Sequence, residues 1–501
     1  MQVTVIADGS QQNVTVPLGS TVQETLDAAG VTLGELDRVD PPAYTVLSDG
    51  AQVRVVRVRE EFQIVQETIP FERQTLRSES LPEGETRLLQ TGENGLREVT
   101  VRYLYEDDEE ISQSTVKVDV IRTPVPEIVM VGSQSTVERL EIPGELVYLD
   151  GGNVWLMQGS TVDRSPVLTL GDLDGRIFSL SADGKWLLFT RTSEEEGLIN
   201  TLWAARIDQT PPLLIDLQVA NVVHFADWVP GSTLRVAYST VEPRSAAPGW
   251  QANNDLQLRS FSTSGWVSRP VVVVDANAGG TYGWWGTSFR WSPDGKAMAF
   301  ARPDGVGLVD FETGEFRRLL ETTPLQTFGD WAWVPGVDWS PQADILFAVE
   351  HLPLEGAGDP ETSPLFGVTA IPLNAGVPLP LVNQTGMFAQ PVASPLQPCP
   401  EDPGAYQVAY LQAISPRQSD TSRYQLALMD RDGSNRRVLF PQEGAPGLEP
   451  QRVFWSPAPM PGKDSHAIAF LYQGDLWMVD TLSGEVQQVT GDGLVTRLDW
   501  R

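Results

Sequence analysis

The chain has 501 residues, of which 41% are hydrophobic and 20% charged, so it is long enough for several domains and too apolar to be disordered. Its formal net charge of −31 argues against a nucleic-acid partner, because such binding depends on Lys and Arg neutralising phosphates. The single cysteine, Cys399, excludes an internal disulfide and a cysteine-rich metal site.

Residues 2–58 have the pattern of a small mixed domain. An alternating strand over 3–7 turns at Asp8-Gly9 and returns over 13–16, which predicts a hairpin. Ser20 is placed to cap a helix over residues 21–29, and Gly30 stands where a left-handed C-terminal cap belongs. Further strands are predicted at 44–47 and 52–58. A hairpin, a helix and returning strands indicate a β-grasp fold for residues 1–58.

Two phrases in this stretch carry a family resemblance. They are "AGVTLGELDRV" (29–39) and "LSDGAQVRVVRV" (47–58). Both resemble the short domain of unknown function that precedes surface modules in bacterial wall-lytic and resuscitation-promoting proteins. The resemblance implies a ubiquitin-like fold and a place in the cell envelope.

Residues 59–134 alternate polar with β-branched side chains and contain few large apolar ones. This composition predicts an extended β-sheet spacer whose stability comes from backbone pairing. The order of motifs resembles the G-five domain of bacterial adhesins and wall hydrolases, with family glycines matched by Gly84, Gly92, Gly95 and Gly132. The turn glycine usual after Tyr-x-Asp is absent, because Tyr105-Glu106-Asp107-Asp108 occupies that turn. The resemblance implies binding to wall polysaccharide through N-acetylglucosamine, or a spacer role in adhesion.

A periodic strand motif fills the rest of the chain, residues 137–501. Its copies include "FRWSPDGK" (289–296), "VDWSP" (337–341), "VFWSP" (453–457) and the terminal "LDWR" (498–501). Key positions are spaced 45–63 residues apart, which is the size of a four-stranded propeller blade with its loops. The seven positions are Leu180, Trp228, Trp291, Trp339, Val392, Trp455 and Trp500.

The last motif copy has no continuation, whereas strands without a motif begin near residue 145. We therefore predict a mainly β protein with a seven-bladed β-propeller, or six-bladed if the weak copy at 388–396 is misread, closed by its C-terminal strand. The pattern resembles the TolB and WD-repeat class of propellers. The motif residues Trp291, Trp339, Trp455 and Trp500 are expected to be structural.

A loop rich in glycine and aromatic residues (279–287) is the sharpest candidate for a binding site. Displayed indole rings stack on the apolar faces of sugars, while nearby carboxylates accept hydrogen bonds from the hydroxyls. Long insertions at 240–255, 350–365 and 412–423 are expected on the same face. The alternative is that these aromatics cap the blade cores or plug the channel. The candidate ligand-binding residues are Tyr282, Trp284, Trp285, Trp331, Trp333 and Trp250.

Catalytic and metal-binding motifs are not evident. The three histidines (His224, His351, His466) have no metal-ligand spacing, and no G-x-S-x-G motif is present. Asp172-Leu173-Asp174-Gly175 lacks the further ligands of a calcium loop. We therefore predict no catalytic residue, no metal and no cofactor.

These observations favour a non-enzymatic bacterial protein of the cell surface or envelope, extracellular in location, that binds a wall glycan or a surface protein. No apolar run approaches the roughly 18 residues of a membrane helix, and no secretory signal follows Met1. The first alternative is a TolB-like protein-interaction scaffold. The second is a propeller enzyme, such as a lyase, lactonase or glycosidase, acting in the central channel.

Overall fold

The computed structural model describes the chain except residues 79–85, 126, 133–138, 233, 277–279, 328, 355–358, 375, 400–401, 443 and 492. Gly84, one of the predicted family glycines, lies outside the described residues. The chain divides into two compact units, Met1–Arg73 with Leu88–Ile128, and Gln74–Arg87 with Val129–Arg501. The division into domains at 1–58, 59–134 and 137–501 stays a prediction.

The N-terminal sheet has the order β2–β1–β4–β3, with β1 and β4 parallel. Its strands are β1 (Gln2–Ala7), β2 (Ser10–Thr15), β3 (Arg38–Asp40) and β4 (Gln52–Val56). One helix, α1 (Val22–Ala29), packs Val22 and Leu26 into the core of this sheet. The sheet order and the packed helix agree with the predicted β-grasp arrangement.

Two local predictions for this sheet are wrong. The helix N-cap is Thr21, because its hydroxyl accepts from the Glu24 amide and the Glu24 carboxylate accepts from the Thr21 amide. The predicted strand at 44–47 is reduced to an isolated bridge between Thr21 and Val46, and Arg38–Asp40 supplies the edge strand. Gly30 has φ 70°, as the predicted left-handed cap requires.

The next region consists of two three-stranded sheets, with orders β5–β8–β9 and β6–β10–β7. The strands are β5 (Val58–Ile69), β6 (Arg73–Ser78), β7 (Thr86–Gln90), β8 (Gly95–Glu106), β9 (Glu109–Arg122) and β10 (Glu127–Gly132). A Cβ on Gly92 would lie 2.2 Å from the Phe71 ring, and one on Gly95 would lie 2.6 Å from the Arg122 carbonyl oxygen. At both positions a side chain would overlap neighbouring atoms, which explains why the family has glycine there.

The turn that lacks its family glycine is closed by two aspartates. Asp107 and Asp108 have φ of 49° and 68°, which Asp tolerates better than most non-glycine residues. The Arg57 amide donates to the Asp107 carboxylate at 2.9 Å. Aspartates that tolerate positive φ, one of them held by the Arg57 amide, thus stand in place of the glycine.

Seven four-stranded antiparallel sheets fill the region from residue 141 onward in the described chain. Sheet 1 is β11 (Glu141–Asp150), β12 (Asn153–Ser160), β13 (Arg164–Leu168) and the last strand, β40 (Val495–Trp500). Sheet 2 is β14 (Leu173–Leu180), β15 (Trp186–Thr192), β16 (Asn200–Arg206) and β17 (Leu213–Ala220). Sheet 3 is β18 (Ala226–Trp228), β19 (Arg235–Tyr238), β22 (Leu256–Ser260) and β23 (Val271–Val274), with the hairpin β20 (Val241–Pro243) and β21 (Trp250–Ala252) inserted.

The remaining sheets follow in chain order. Sheet 4 is β24 (Ser288–Trp291), β25 (Met298–Arg302), β26 (Gly305–Val309) and β27 (Phe316–Glu321). Sheet 5 is β28 (Val337–Trp339), β29 (Ile345–Leu352), β30 (Leu365–Pro372) and β31 (Leu379–Asn383). Sheet 6 is β32 (Val392–Ala393), β33 (Gln407–Ala413), β34 (Tyr424–Asp430) and β35 (Arg437–Phe440). Sheet 7 is β36 (Phe454–Trp455), β37 (Ala467–Tyr472), β38 (Asp475–Asp480) and β39 (Val486–Gln488).

Buried apolar clusters join each sheet to the next one along the chain. A further cluster, which includes Met478, Tyr148 and Trp500, joins sheet 7 to sheet 1. The C-terminal strand β40 pairs antiparallel with β11, with Leu146 opposite Trp500. The last strand therefore completes the first sheet, as predicted.

The motif tryptophans connect neighbouring sheets. The indole nitrogens of Trp228, Trp339 and Trp455 donate to carbonyls of the first strand in the preceding sheet, at 3.0 Å each. Trp500 donates to the Pro143 carbonyl at 2.8 Å. Because a buried indole N–H needs an acceptor, the bond to the preceding sheet explains Trp at three of these positions. The Trp500 bond lies within sheet 1, and the Trp291 indole has no acceptor among the described residues.

Candidate functional site

The predicted aromatic loop forms a short 3-10 helix, Gly280–Trp285, between sheets 3 and 4. Buried Asn254 holds it, because its side-chain amide donates to the Gly283 carbonyl at 2.6 Å and accepts from the Thr287 hydroxyl at 2.8 Å. The loop is thus fixed by a polar anchor from the neighbouring sheet.

Two of its aromatic rings line a cleft of about 440 Å³. The lining comes from two segments: the 3-10 helix with Tyr282 and Trp285 forms the first wall, and the segment with Trp331, whose surface is 39% exposed, forms the second. We call this the aromatic cleft; its lining residues are Tyr282, Trp285, Pro303, Pro324, Leu325, Gln326, Thr327, Gly329, Asp330, Trp331 and Ala332. Its volume lies in the range of about 300–1,000 Å³ that is typical of small-molecule sites.

Backbone contacts anchor the second wall of the aromatic cleft. The Gln326 amide donates to the Glu361 carbonyl at 2.9 Å, and the Thr327 hydroxyl donates to the Trp331 carbonyl at 2.6 Å. Buried His351 lies between the carbonyls of Thr323 and Ser363, at 2.8 and 2.7 Å from its two ring nitrogens. These contacts hold the segment that carries Trp331 in place.

The surroundings of the cleft are acidic. Burial raises the pKa of Tyr282, and the carboxylates of Glu361 and Asp304 raise it further. Asp330 is an exposed member of the wall itself. Anionic ligands therefore meet unfavourable charge here.

The structure brings together only three of the six candidate binding residues: Tyr282, Trp285 and Trp331. The prediction for Trp333 is wrong, because this side chain is 1% exposed, donates to the Met387 carbonyl at 2.9 Å and packs edge-on against Phe366. Trp284 and Trp250 are partly buried and do not line the cleft. Trp250 instead lies edge-on to His224, with ring centroids 4.4 Å apart.

His224 is packed without a hydrogen-bond partner for its Nε2 among the described residues. A Cβ on Gly286 would lie 2.6 Å from this nitrogen, so the His224 ring packs directly against the aromatic loop. Burial, together with the positive charge of Arg176, lowers the pKa of His224 to about 4. The folded protein therefore favours the neutral ring.

We expect acid to destabilise the fold through His224. Its folded pKa lies below the unfolded value of about 6.5, so the unfolded chain binds the proton first as pH falls. Between pH 7 and pH 5 the free energy of unfolding should fall by about 2 kcal/mol through this histidine. The fall should be absent in His224→Asn. Urea unfolding of both proteins at the two pH values measures the difference. An equal pH response in both would contradict this assignment.

A set of charged residues that the sequence analysis missed directly precedes four of the motif tryptophans: Asp227, Arg290, Asp338 and Asp499. Asp338 accepts from Arg290 at 3.0 Å, from Arg452 at 3.1 Å and from the Ala393 amide at 3.2 Å. Its partners Arg290 and Ala393 lie on β24 and β32, on either side of β28. The signal in the sequence was a charged residue before four of the five motif tryptophans, Trp455 being preceded by Phe454.

The other two carboxylates of this set make similar contacts. Asp499 accepts from the Leu180 amide at 2.8 Å and lies 3.4 Å from the Arg501 guanidinium, and Asp227 accepts from the Ser179 hydroxyl at 2.7 Å. Burial raises the pKa of Asp338 and of Asp499, while their arginine partners act in the opposite direction. These carboxylates link first strands of adjacent sheets. No group of three or more His, Cys, Asp or Glu side chains able to hold a metal occurs among the described residues.

The N-terminal part matches two family models. Residues 60–134 match the G5 domain. Residues 3–43 match the G5-linked-Ubiquitin-like domain. These matches confirm the resemblances predicted for this part of the chain.

Solved structures similar to the chain include G5 domains and propeller-like proteins. The G5 domain of an IgA1 protease is 25% identical and covers 16% of this chain and 94% of its own length, with a TM-score of 0.14. The periplasmic gluconolactonase of Pseudomonas aeruginosa is 14% identical and covers 71% of this chain and 98% of its own, with a TM-score of 0.42. A putative 6-phosphogluconolactonase from Bacteroides fragilis is 11% identical over the same shares, with a TM-score of 0.43. At these TM-scores the similarities carry no conclusion about activity.

No curated protein matches the chain. The described part of the chain contains no helix with the length and apolar character needed to cross a membrane. The TolB part of the propeller resemblance stays a prediction.

Proposed function

We propose that this chain is a bacterial cell-surface binding protein that attaches to wall polysaccharide through its N-terminal part and carries a propeller as a recognition head. The observation that carries the proposal is the match of residues 60–134 to the G5 domain. The G5 resemblance implies that the ligand is a glycan that contains N-acetylglucosamine. An extracellular or envelope location follows from the same resemblance.

We infer further that the seven four-stranded sheets close into a seven-bladed propeller. The pairing of β40 with β11 and the apolar cluster between sheets 7 and 1 support closure. Six other clusters join the remaining neighbours in order, which supports seven blades over six. Closure places the last strand in a sheet with β11, so the chain does not end in an isolated strand.

One face of the β5–β8–β9 sheet is suited to glycan attachment. Phe62 and Ile64 are two residues apart on β5, so they share this face, and they are 61% and 63% exposed. The register places Arg102 opposite Phe62 and Thr100 opposite Ile64. An exposed ring beside hydrogen-bond donors can stack on a sugar and bond to its hydroxyls.

The proposal assigns no catalytic role. The ring nitrogens of His351, and Nδ1 of His466, lie within hydrogen-bond distance of backbone carbonyls, and Asp338 pairs with two arginines. These contacts occupy two of the three histidines and one buried carboxylate, which are groups of the kind that acid–base chemistry needs. The third histidine, His224, has no partner for its Nε2 among the described residues but packs edge-on against Trp250. The occupied groups support a binding role over the channel-enzyme alternative.

Sedimentation of the full chain with purified peptidoglycan tests the attachment. We expect the wild-type chain to sediment with the wall, and Phe62→Ala/Ile64→Ala to lose at least about tenfold in affinity, equivalent to about 1.4 kcal/mol. The matched control is Val271→Ala/Val272→Ala, which removes two equally exposed apolar side chains from β23. Failure of the wild-type chain to sediment, or equal retention of both variants, would overturn the proposal.

A further inference from the structure

The aromatic cleft has three rings whose faces are not covered by other rings. Tyr282, Trp285 and Trp331 take part in no ring-to-ring contact within the described part of the chain, unlike Trp333 with Phe366 or Trp291 with Phe311. Tyr282 and Trp285 come from one wall and Trp331 from the other. A ligand in the cleft can therefore contact aromatic rings from two segments of the chain.

Polar groups of the same cleft also lack partners. The side chains of Gln326 and Asp330 make no hydrogen bond to any described residue, and neither does the Tyr282 hydroxyl. An amide, a carboxylate and a phenol provide both donors and acceptors. This mixture is poorly suited to a purely apolar ligand, because those groups would lose water without replacement.

The charge around the cleft limits the ligand further. Asp330 and Glu361 make the site acidic, whereas the charge of nearby Asp304 is balanced by Arg318 at 2.6 Å. The whole chain carries a net charge of −31. Phosphorylated and carboxylated ligands would be repelled. A small quaternary ammonium would be attracted by the rings, but it would fill little of a volume of about 440 Å³.

The walls are held in place before any ligand arrives. Asn254 anchors the loop of Tyr282 and Trp285, while His351 anchors the segment that leads to Trp331. A site that is already ordered loses less conformational entropy on binding. The cleft therefore has the stacking surface, the polar partners and the rigidity that recognition of a sugar requires.

We propose that the aromatic cleft is a binding site for a neutral saccharide, stacked on Trp285 and Trp331 and hydrogen-bonded by Asp330, Gln326 and Tyr282. This site lies in the propeller unit and does not depend on wall attachment by residues 60–134. It gives the recognition head a ligand of its own.

Tryptophan fluorescence of the full chain, titrated with neutral disaccharides, tests this site. The probes are cellobiose, maltose, mannobiose and N,N′-diacetylchitobiose, with choline chloride and glucose 6-phosphate as the cationic and anionic comparisons. We expect saturable binding of at least one neutral disaccharide and none of glucose 6-phosphate. Trp285→Ala and Trp331→Ala should each weaken it about tenfold, which is about 1.4 kcal/mol.

Two further variants separate binding from folding. Trp266→Ala removes a tryptophan that is 60% exposed and outside the cleft, and it should leave the affinity unchanged. Trp331→Phe keeps a stacking ring and should retain most of the affinity. The proposal is overturned if no disaccharide binds at concentrations up to about 20 mM. It is also overturned if only choline binds, or if both cleft variants bind like the wild-type chain.

Discussion

Replacing Trp500 by alanine is expected to lower the free energy of unfolding of the propeller unit by about 3–5 kcal/mol, the usual cost of truncating a buried Trp. Its side chain is 3% exposed and lies in the cluster that joins sheets 7 and 1. Its indole donates to the Pro143 carbonyl at 2.8 Å, so the variant also leaves that carbonyl without its partner.

Urea unfolding followed by tryptophan fluorescence measures this loss. The matched control is Trp266→Ala, whose side chain is 60% exposed and should change stability by less than about 0.5 kcal/mol. A Trp500→Ala protein as stable as the control would show that β40 does not complete sheet 1, and the inferred closure of the ring would fail with it.

The second large effect is expected at Asp338. Substitution by alanine leaves Arg290 and Arg452 without their shared carboxylate in a site where both are mostly buried. Removal of one partner from a buried ion pair costs about 3–5 kcal/mol. The backbone amide of Ala393 loses its acceptor as well.

A compensated variant distinguishes charge from packing at this position. Asp338→Leu combined with Arg290→Met and Arg452→Met replaces the ionic group by apolar side chains of similar size and should recover most of the lost stability. The exposed Asp420→Ala serves as the control for loss of a carboxylate. If urea unfolding shows a loss under about 1 kcal/mol for Asp338→Ala, the carboxylate does not hold neighbouring sheets together.

Local sequence signals predicted much of the fold. Gly30 ends the helix because its φ of 70° suits glycine. Four of the five motif tryptophans bond a carbonyl of a neighbouring strand through the indole, Trp291 being the exception among the described residues. Errors arose where neighbouring residues compete for one role. Ser20 and Thr21 are both good caps, and only the reciprocal bonds between Thr21 and Glu24 select the second.

The aromatic cleft was only half predictable. In the segment Asp330-Trp331-Ala332-Trp333 the two indole rings differ in solvent exposure: Trp331 is 39% exposed and lines the cleft, and Trp333 is 1% exposed. The sequence contains two similar aromatic residues, and the choice between them depends on the distant Met387 and Phe366 that enclose Trp333. The second wall likewise depends on His351 bonding to carbonyls 12 and 28 residues away, which no local pattern encodes.

Calorimetric titration of the full chain with soluble N-acetylglucosamine oligomers tests the proposed wall attachment most directly. Saturable binding is expected for the wild-type chain and for Trp285→Ala/Trp331→Ala, in which the aromatic cleft is disabled. Adding Phe62→Ala/Ile64→Ala to that variant should lower the affinity at least about tenfold. Absence of binding to the wild-type chain, or binding by the cleft variant that survives loss of Phe62 and Ile64 unchanged, would contradict attachment through the β5–β8–β9 face.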